Sequence, residues 1–220
     1  GTAQVTVATP PPGGTSNALP FSIVAAPPAN QPVISSVVNG ASYQPGIAAA
    51  SWVTIYGSNL ANTSPGRTWR TEEIVNGNLP TSLDGVSVTI NGKAAYVYYI
   101  SPGQINVQAP SDSAQGPVNV VVKNSNGTSA AATAQLQPFA PAFFQYSGTS
   151  YAIATRYPDN ALIANPRSVP GAVGAKPGDV LILWGTGFGA TDPDTPAGIV
   201  VSAAAVTRTW RRASATASRC

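Results

Sequence analysis

The sequence predicts an all-β protein assembled from successive β-sandwiches, and three observations point there. Short apolar runs alternate with polar residues at period two, which turns successive side chains to opposite faces of a strand. Gly and Pro, 21 of each in 220 residues, fall between those runs, as many tight turns require. Stretches of the chain also repeat one another at a fixed offset. Disorder is the competing reading of a Pro/Gly-rich chain, but hydrophobic residues make up 43%, and the β-branched runs can bury enough apolar surface to offset ordering entropy.

The clearest element is Val86-Ser-Val-Thr-Ile90, followed by Asn91-Gly92 and an alternating run over residues 93–100. Asn-Gly tolerates positive φ at both positions, as a type I′ turn demands, so a β-hairpin is predicted over residues 86–100. Further strands are predicted at 52–56, 104–108, 118–122 and 131–136. Ser101-Pro102-Gly103, Ala109-Pro110-Ser111 and Asn124-Ser-Asn-Gly127 supply the turns between them. Strands at this spacing without a helical pattern read as a sandwich.

Gly46-Ile-Ala-Ala-Ala-Ser-Trp-Val-Thr-Ile-Tyr-Gly-Ser-Asn-Leu60 aligns without gaps to Gly174-Ala-Lys-Pro-Gly-Asp-Val-Leu-Ile-Leu-Trp-Gly-Thr-Gly-Phe188, 128 residues on. Gly1-Thr-Ala-Gln-Val-Thr-Val7 likewise echoes Gly116-Pro-Val-Asn-Val-Val-Val122. These echoes divide the chain into residues 1–28, the closing hairpin of a preceding repeat; 29–141, a complete sandwich; 142–206, the start of a further, truncated one; and 207–220, an irregular basic tail. Pro27-Pro28 and Pro138-Phe-Ala-Pro141 mark the stiff junctions. The opening in mid-pattern predicts a fragment of a longer chain, with any export signal upstream. The loss of alternation after Val201 predicts a shifted reading frame or an artificial terminus, which would leave a sheet edge exposed.

Pro32-Val-Ile-Ser-Ser36, Gly46 and Val53-Thr-Ile-Tyr-Gly-Ser-Asn-Leu60 resemble the start of an IPT/TIG domain, and Gly14-Thr-Ser-Asn-Ala-Leu-Pro-Phe-Ser-Ile-Val24 is similar to its closing strand. Val38-Asn-Gly-Ala-Ser-Tyr43, Tyr98-Tyr-Ile-Ser-Pro-Gly-Gln-Ile-Asn-Val-Gln108 and Pro177-Gly-Asp-Val-Leu-Ile-Leu-Trp-Gly-Thr-Gly-Phe-Gly189 resemble an uncharacterised C-terminal module of large exported acidobacterial (Solibacter-type) proteins. The resemblance implies tandem immunoglobulin-like β-sandwiches, the first and last incomplete, in an extracellular or cell-surface setting. It implies no activity. IPT/TIG domains that bind DNA do so through basic loops, which the body of this chain lacks.

Charged residues are only 9%, against roughly 25% in an average soluble domain. Four of the eleven basic residues (Arg208, Arg211, Arg212, Arg219) lie in the last thirteen positions; without them, seven basic residues face eight acidic ones. No footprint for nucleic acid is left. No apolar run reaches the length of a membrane span, so no insertion is expected. His is absent and Cys220 is the only cysteine, which removes His-based triads, Cys–His pairs and zinc sites built on those ligands. Gly185-Thr-Gly-Phe-Gly189 superficially matches a dinucleotide loop, but Ala190-Thr-Asp-Pro-Asp-Thr-Pro196 cannot start the helix that such a loop feeds. Glu72 and Glu73 are neighbours, which point to opposite faces of an extended segment and not across a glycosidic bond. Asp192 and Asp194 offer oxygens, yet Ca²⁺ takes six to eight. No enzyme, metal or cofactor is expected.

Two features remain as candidate ligand contacts. Tyr96 and Tyr98 share one face of a predicted strand, with Tyr99 beside them, and exposed rings there would stack on sugars; packing of one face into the core is the plainer role. Residues 61–83 form a long connection holding Arg67, Trp69, Arg70, Glu72 and Glu73, either a docking loop or an insertion tied down by local ion pairs. The expected function is a non-catalytic structural or adhesive repeat module, its partner a protein or polysaccharide surface; the alternative is a carbohydrate-binding accessory module of a secreted enzyme.

Overall fold

The computed structural model describes residues 2–22, 30–202 and 205–208. Its strands begin with β1 (Thr2–Val5), β2 (Leu19–Ser22), β3 (Val33–Asn39), β4 (Ile47–Ala48), β5 (Trp52–Ser58), β6 (Arg67–Thr68), β7 (Ser82–Leu83) and β8 (Val86–Ile90). They continue with β9 (Lys93–Ala94), β10 (Tyr96–Ile100), β11 (Gln104–Gln108), β12 (Gly116–Asn124), β13 (Gly127–Thr128) and β14 (Ala132–Gln137). Shorter strands follow: β15 (Ala142–Phe143), β16 (Ala154–Tyr157), β17 (Val180–Leu183), β18 (Gly185–Thr186), β19 (Thr191–Asp192) and β20 (Val206–Thr207). Among the described residues the helical content is one 3₁₀ turn, Thr71–Glu73, and no helix is long and apolar enough to cross a membrane.

Residues 33–137 form an immunoglobulin-like sandwich of two sheets. One runs β3-β5-β11-β10-β6; the other runs β4-β14-β12-β8-β7, with β13 on β12 and β9 on β8. Period two sets what lies between them. Val86, Val88 and Ile90 of β8, Ile105 and Val107 of β11, and Val118, Val120 and Val122 of β12 all point into one core, while the residues between them face out. Val53 and Ile55 of β5 complete the centre, both fully buried.

The Asn91-Gly92 turn forms as the sequence predicts, with φ of 52° and 73° and Ile90 paired to Lys93. The predicted hairpin does not run on to residue 100. It ends at Ala94, and the chain crosses between the sheets at the fully buried Ala95, so that β9 pairs with β8 and β10 pairs with β11 in the opposite sheet. A methyl group is all the side chain that enters the core at this crossing. β10 then carries a bulge between Val97 and Tyr99. Strict alternation would put Val97 and Ile100 on opposite faces. The extra residue, Tyr98, resets the phase and lets both enter the core.

After the sandwich, its first pairing recurs. Val33 pairs with Ser58 and Ile34 with Gly57; Ala142 pairs with Thr186 and Phe143 with Gly185, each pair following a proline (Pro32, Pro141). β16–β17 extends that ladder. Among the described residues the named strands of this region form only two-stranded ladders, β15–β18, β16–β17 and β19–β20, joined by isolated bridges at Gln145–Ala152, Thr155–Leu162 and Ile163–Val173. Within the stretch expected to be an irregular tail from residue 207, Thr207 stands in β20, paired with Thr191. Residues 209–220 lie outside the described residues, as does the end of the first hairpin, 23–28; its strands β1 and β2 pair antiparallel.

The region after residue 139 is bonded to the sandwich. Asn39 Nδ2 donates to the Ala140 carbonyl (2.7 Å), and the Trp52 N–H donates to Thr186 Oγ1 (2.8 Å). The Gly198 N–H donates to Gln108 Oε1 (2.8 Å), while Leu79 and Val200 donate backbone bonds to Gly198 and Gly77 (both 2.8 Å). Asn39 is nearly inaccessible to solvent, and its Oδ1 accepts from the N–H groups of Ala41 and Ser42, so one buried side chain both shapes the turn after β3 and joins the two regions.

Candidate functional site

Residues 61–83 are largely structured. Arg67–Thr68 adds β6 to the edge of β10, and the Trp69 N–H continues the ladder by donating to the Tyr98 carbonyl (2.9 Å). Two of the four charges of this segment, Arg67 and Glu73, pair with each other. The Arg67 guanidinium donates to both Glu73 oxygens (2.9 Å each) and from Nε to Asp84 Oδ2 (2.9 Å), and Glu73 also accepts from the Arg70 N–H (2.7 Å). Sequence reading missed Asp84, seventeen residues from Arg67, because nothing in a linear motif joins them. The Arg70 side chain and Glu72 are exposed.

These elements bring three rings together on the outer face of the five-stranded sheet. Trp69 and Tyr98 meet edge to face with centroids 4.7 Å apart, as do Trp52 and Tyr98 at 5.5 Å, and Trp52 and Trp69 are tilted by 50° at 6.1 Å. Trp69 also packs on the core. Beside the rings lies a hollow of about 120 Å³ lined by Gly40, Trp52, Thr54, Tyr98, Asn106 and Phe144. Its lining is mostly apolar, and Asn106 already accepts from Gln104 Nε2 (2.9 Å). Rings set edge to face present each other's rims and not one flat platform.

Tyr96 lies apart from this ring cluster, against Gly198. Gly198 (φ +81°) lies against the Tyr96 ring so closely that any Cβ there would overlap it. Beside that contact a wider groove of about 670 Å³ runs between the sandwich and residues 189–201, with Lys93, Gln108, Asp112, Thr191, Asp194 and Ile199 among its walls. Its charges are paired: Lys93 Nζ lies 3.0 Å from Asp112 Oδ1, and Arg208 donates to Asp194 (3.3 Å). Among the described residues, no three His, Cys, Asp or Glu gather where a metal could sit, and Asp192 and Asp194 are no exception. Gly185-Thr-Gly-Phe-Gly189 turns from β18 into the extended β19, with no helix after it.

Two aspartates are held well below the usual carboxylate range. The Arg67 guanidinium holds Asp84 down to about 2. The Ala114 N–H, the Asn91 amide and Lys93 hold Asp112 down to about 2 as well. Groups that low are ionised at neutral pH and have no proton to give as general acids. Their folded values lie below the unfolded value near 3.9, so both contribute stability above about pH 4 that is lost as pH falls through about 2. The urea midpoint is therefore expected to fall over that window, and the double variant Asp84→Asn, Asp112→Asn to flatten the fall. An unchanged slope in the double variant would assign the acid transition elsewhere.

No curated protein matches the chain. Among solved structures it is similar to an auxiliary nutrient binding protein from Bacteroides thetaiotaomicron, at 12% identity and TM-score 0.32, over 58% of this chain and 23% of that one. It is also similar to the γ-CGTase of Alkalophilic bacillus clarkii, at 14% identity and TM-score 0.35, over 81% of this chain and 25% of that one. The chain thus spans a quarter or less of either protein's length. The IPT/TIG domain family matches residues 32–139, the span from the proline before β3 to just past β14. An IPT/TIG domain therefore occupies residues 32–139 of this chain.

Proposed function

We propose that this chain is a non-catalytic structural or adhesive module of a larger exported protein, akin to the C-terminal modules of large acidobacterial exported proteins. In this reading immunoglobulin-like repeats follow one another in fixed relation, outside the cell or on its surface. One observation carries it: the outer face of the five-stranded sheet is bonded to the chain that follows. Asn39, Trp52 and Gln108 all hold residues 140–198, and Gly198 seals Tyr96. Arg67 and Glu73 of residues 61–83 are likewise spent within the chain, on each other and on Asp84, while Arg70 and Glu72 stay exposed.

The carbohydrate-binding alternative keeps one supporting observation, the partly exposed Tyr98 beside Trp69. Retention on insoluble polysaccharides separates the two. The structural reading expects the chain to wash through a broad panel with no difference between it and Tyr98→Ala. Retention that weakens in Tyr98→Ala, with unfolding midpoint unchanged, would replace the structural reading with the binding one.

A further inference from the structure

We propose that the edge of β17 turned away from β16, which no described residue pairs, is an acceptor for one added β-strand of alternating polar and apolar residues, docked antiparallel in a defined register. The proposal rests on the repeat reading above, and the sandwich itself shows what the occupant looks like.

In the sandwich, β5 is flanked on both sides: by β3 on one edge, and on the other by β11, whose sequence is Gln-Ile-Asn-Val-Gln. The β5 counterpart, β17 with β18, keeps the β3-like register at β18, takes the later strand β16 along β17, and pairs with no described residue on the second edge. The backbone shows which groups are left. Trp184 donates to Ile153 and accepts from Phe144, so Val180, Ile182 and Trp184 direct their N–H and C=O toward β16, and Leu181 and Leu183 direct theirs to the open edge. The sandwich has the same parity, since Ser51 and Gly57 bond Ala109 and Gly103 on the β11 side.

The side chains agree with the backbone. Val53 and Ile55 are fully buried in the sandwich, opposite Val107 and Ile105. Their counterparts Leu181 and Leu183 are 39% and 51% exposed, and Trp184 is 51% exposed. Solvent rarely faces an unbroken Val-Leu-Ile-Leu-Trp strand with an unpaired edge, because that combination offers both a ladder and an apolar surface to an incoming strand. By the 128-residue offset, the occupant's position equivalent to Val107 lies opposite Leu181, and that equivalent to Ile105 lies opposite Leu183. No charged side chain enters this contact, which suits an uncharged strand such as β11.

The test uses the full chain and a labelled synthetic peptide copying residues 101–110, Ser-Pro-Gly-Gln-Ile-Asn-Val-Gln-Ala-Pro. Binding is read by anisotropy and by slowed amide exchange at Leu181 and Leu183. The N–H groups of Ile105 and Val107 face the acceptor and that of Asn106 faces away, so N-methylation separates ladder pairing from apolar sticking. Saturable binding is expected, weakened roughly tenfold or more by methylation at Ile105 and Val107, the effect of losing two ladder bonds, and little changed by methylation at Asn106. Equal binding of all three peptides, or none, overturns the acceptor. A silent titration with the Ala142–Thr186 pairing intact in the NMR spectrum removes the acceptor alone; absence of that pairing removes the repeat reading with it.

Discussion

Ile105→Ala is expected to lower the unfolding free energy by about 2–5 kcal/mol, the range for truncating a large aliphatic side chain in a packed core. Ile105 lies at the centre of β11, fully buried, paired with Ile55 on one side and Ile100 on the other, both also fully buried. Truncation removes three carbons from a site walled by two sheets, and strands tied on both edges cannot close over the gap. Domains of this kind are stable by only about 5–15 kcal/mol, so the variant sits near the limit of folding. Urea denaturation followed by tryptophan emission measures it. A loss within about 0.5 kcal/mol, the range of surface substitutions, would place Ile105 outside the core.

Gly198→Val is expected to detach residues 197–200 from the sandwich while leaving the sandwich folded. Two costs act together. A β-branched residue at φ +81° is strained by about 1–3 kcal/mol, and its Cβ overlaps the Tyr96 ring, so the ring or the strand must move. The bonds from Leu79 and Val200 and the Gly198–Gln108 bond are lost with the contact. Amide exchange at Leu79 and Val200 should accelerate to that of an open loop, with exchange in β5, β11 and β12 unchanged. Uniform acceleration everywhere would mean that the contact supports the whole fold; no acceleration would mean that the glycine is not needed there.

What could be read from the sequence was local. Val86-Ser-Val-Thr-Ile90 with Asn-Gly, and Gln104–Gln108, announce their strands because alternation and turn chemistry act between near neighbours. The 128-residue offset between the two aligned segments is also the offset between Ser58 and Thr186 in the two ladders. The crossing at Ala95 and the bulge at Tyr98 were not legible, since both depend on which sheet offers the next partner, a choice made by β6 and β11 and not by the run itself. The same holds for the site. Arg67, Trp69, Arg70, Tyr96 and Tyr98 stand out by residue type, and the structure distributes them by long-range contact. Arg67 goes to an ion pair with Glu73 and Asp84, Trp69 and Tyr98 to one ring cluster with Trp52, and Tyr96 under Gly198. Arg70 stays exposed.

The fixed relation between the sandwich and the chain after it is the claim on which the proposed function turns, and a distance distribution tests it directly. Spin labels at Lys123→Cys and Arg167→Cys, two exposed positions on either side of the contact, are placed in a Cys220→Ser background. The account predicts one narrow distance population by electron–electron double resonance, broadened by Gly198→Val. A broad distribution in the otherwise unaltered chain would contradict it, because the bonds from Asn39, Trp52 and Gln108 would then not hold the two regions together.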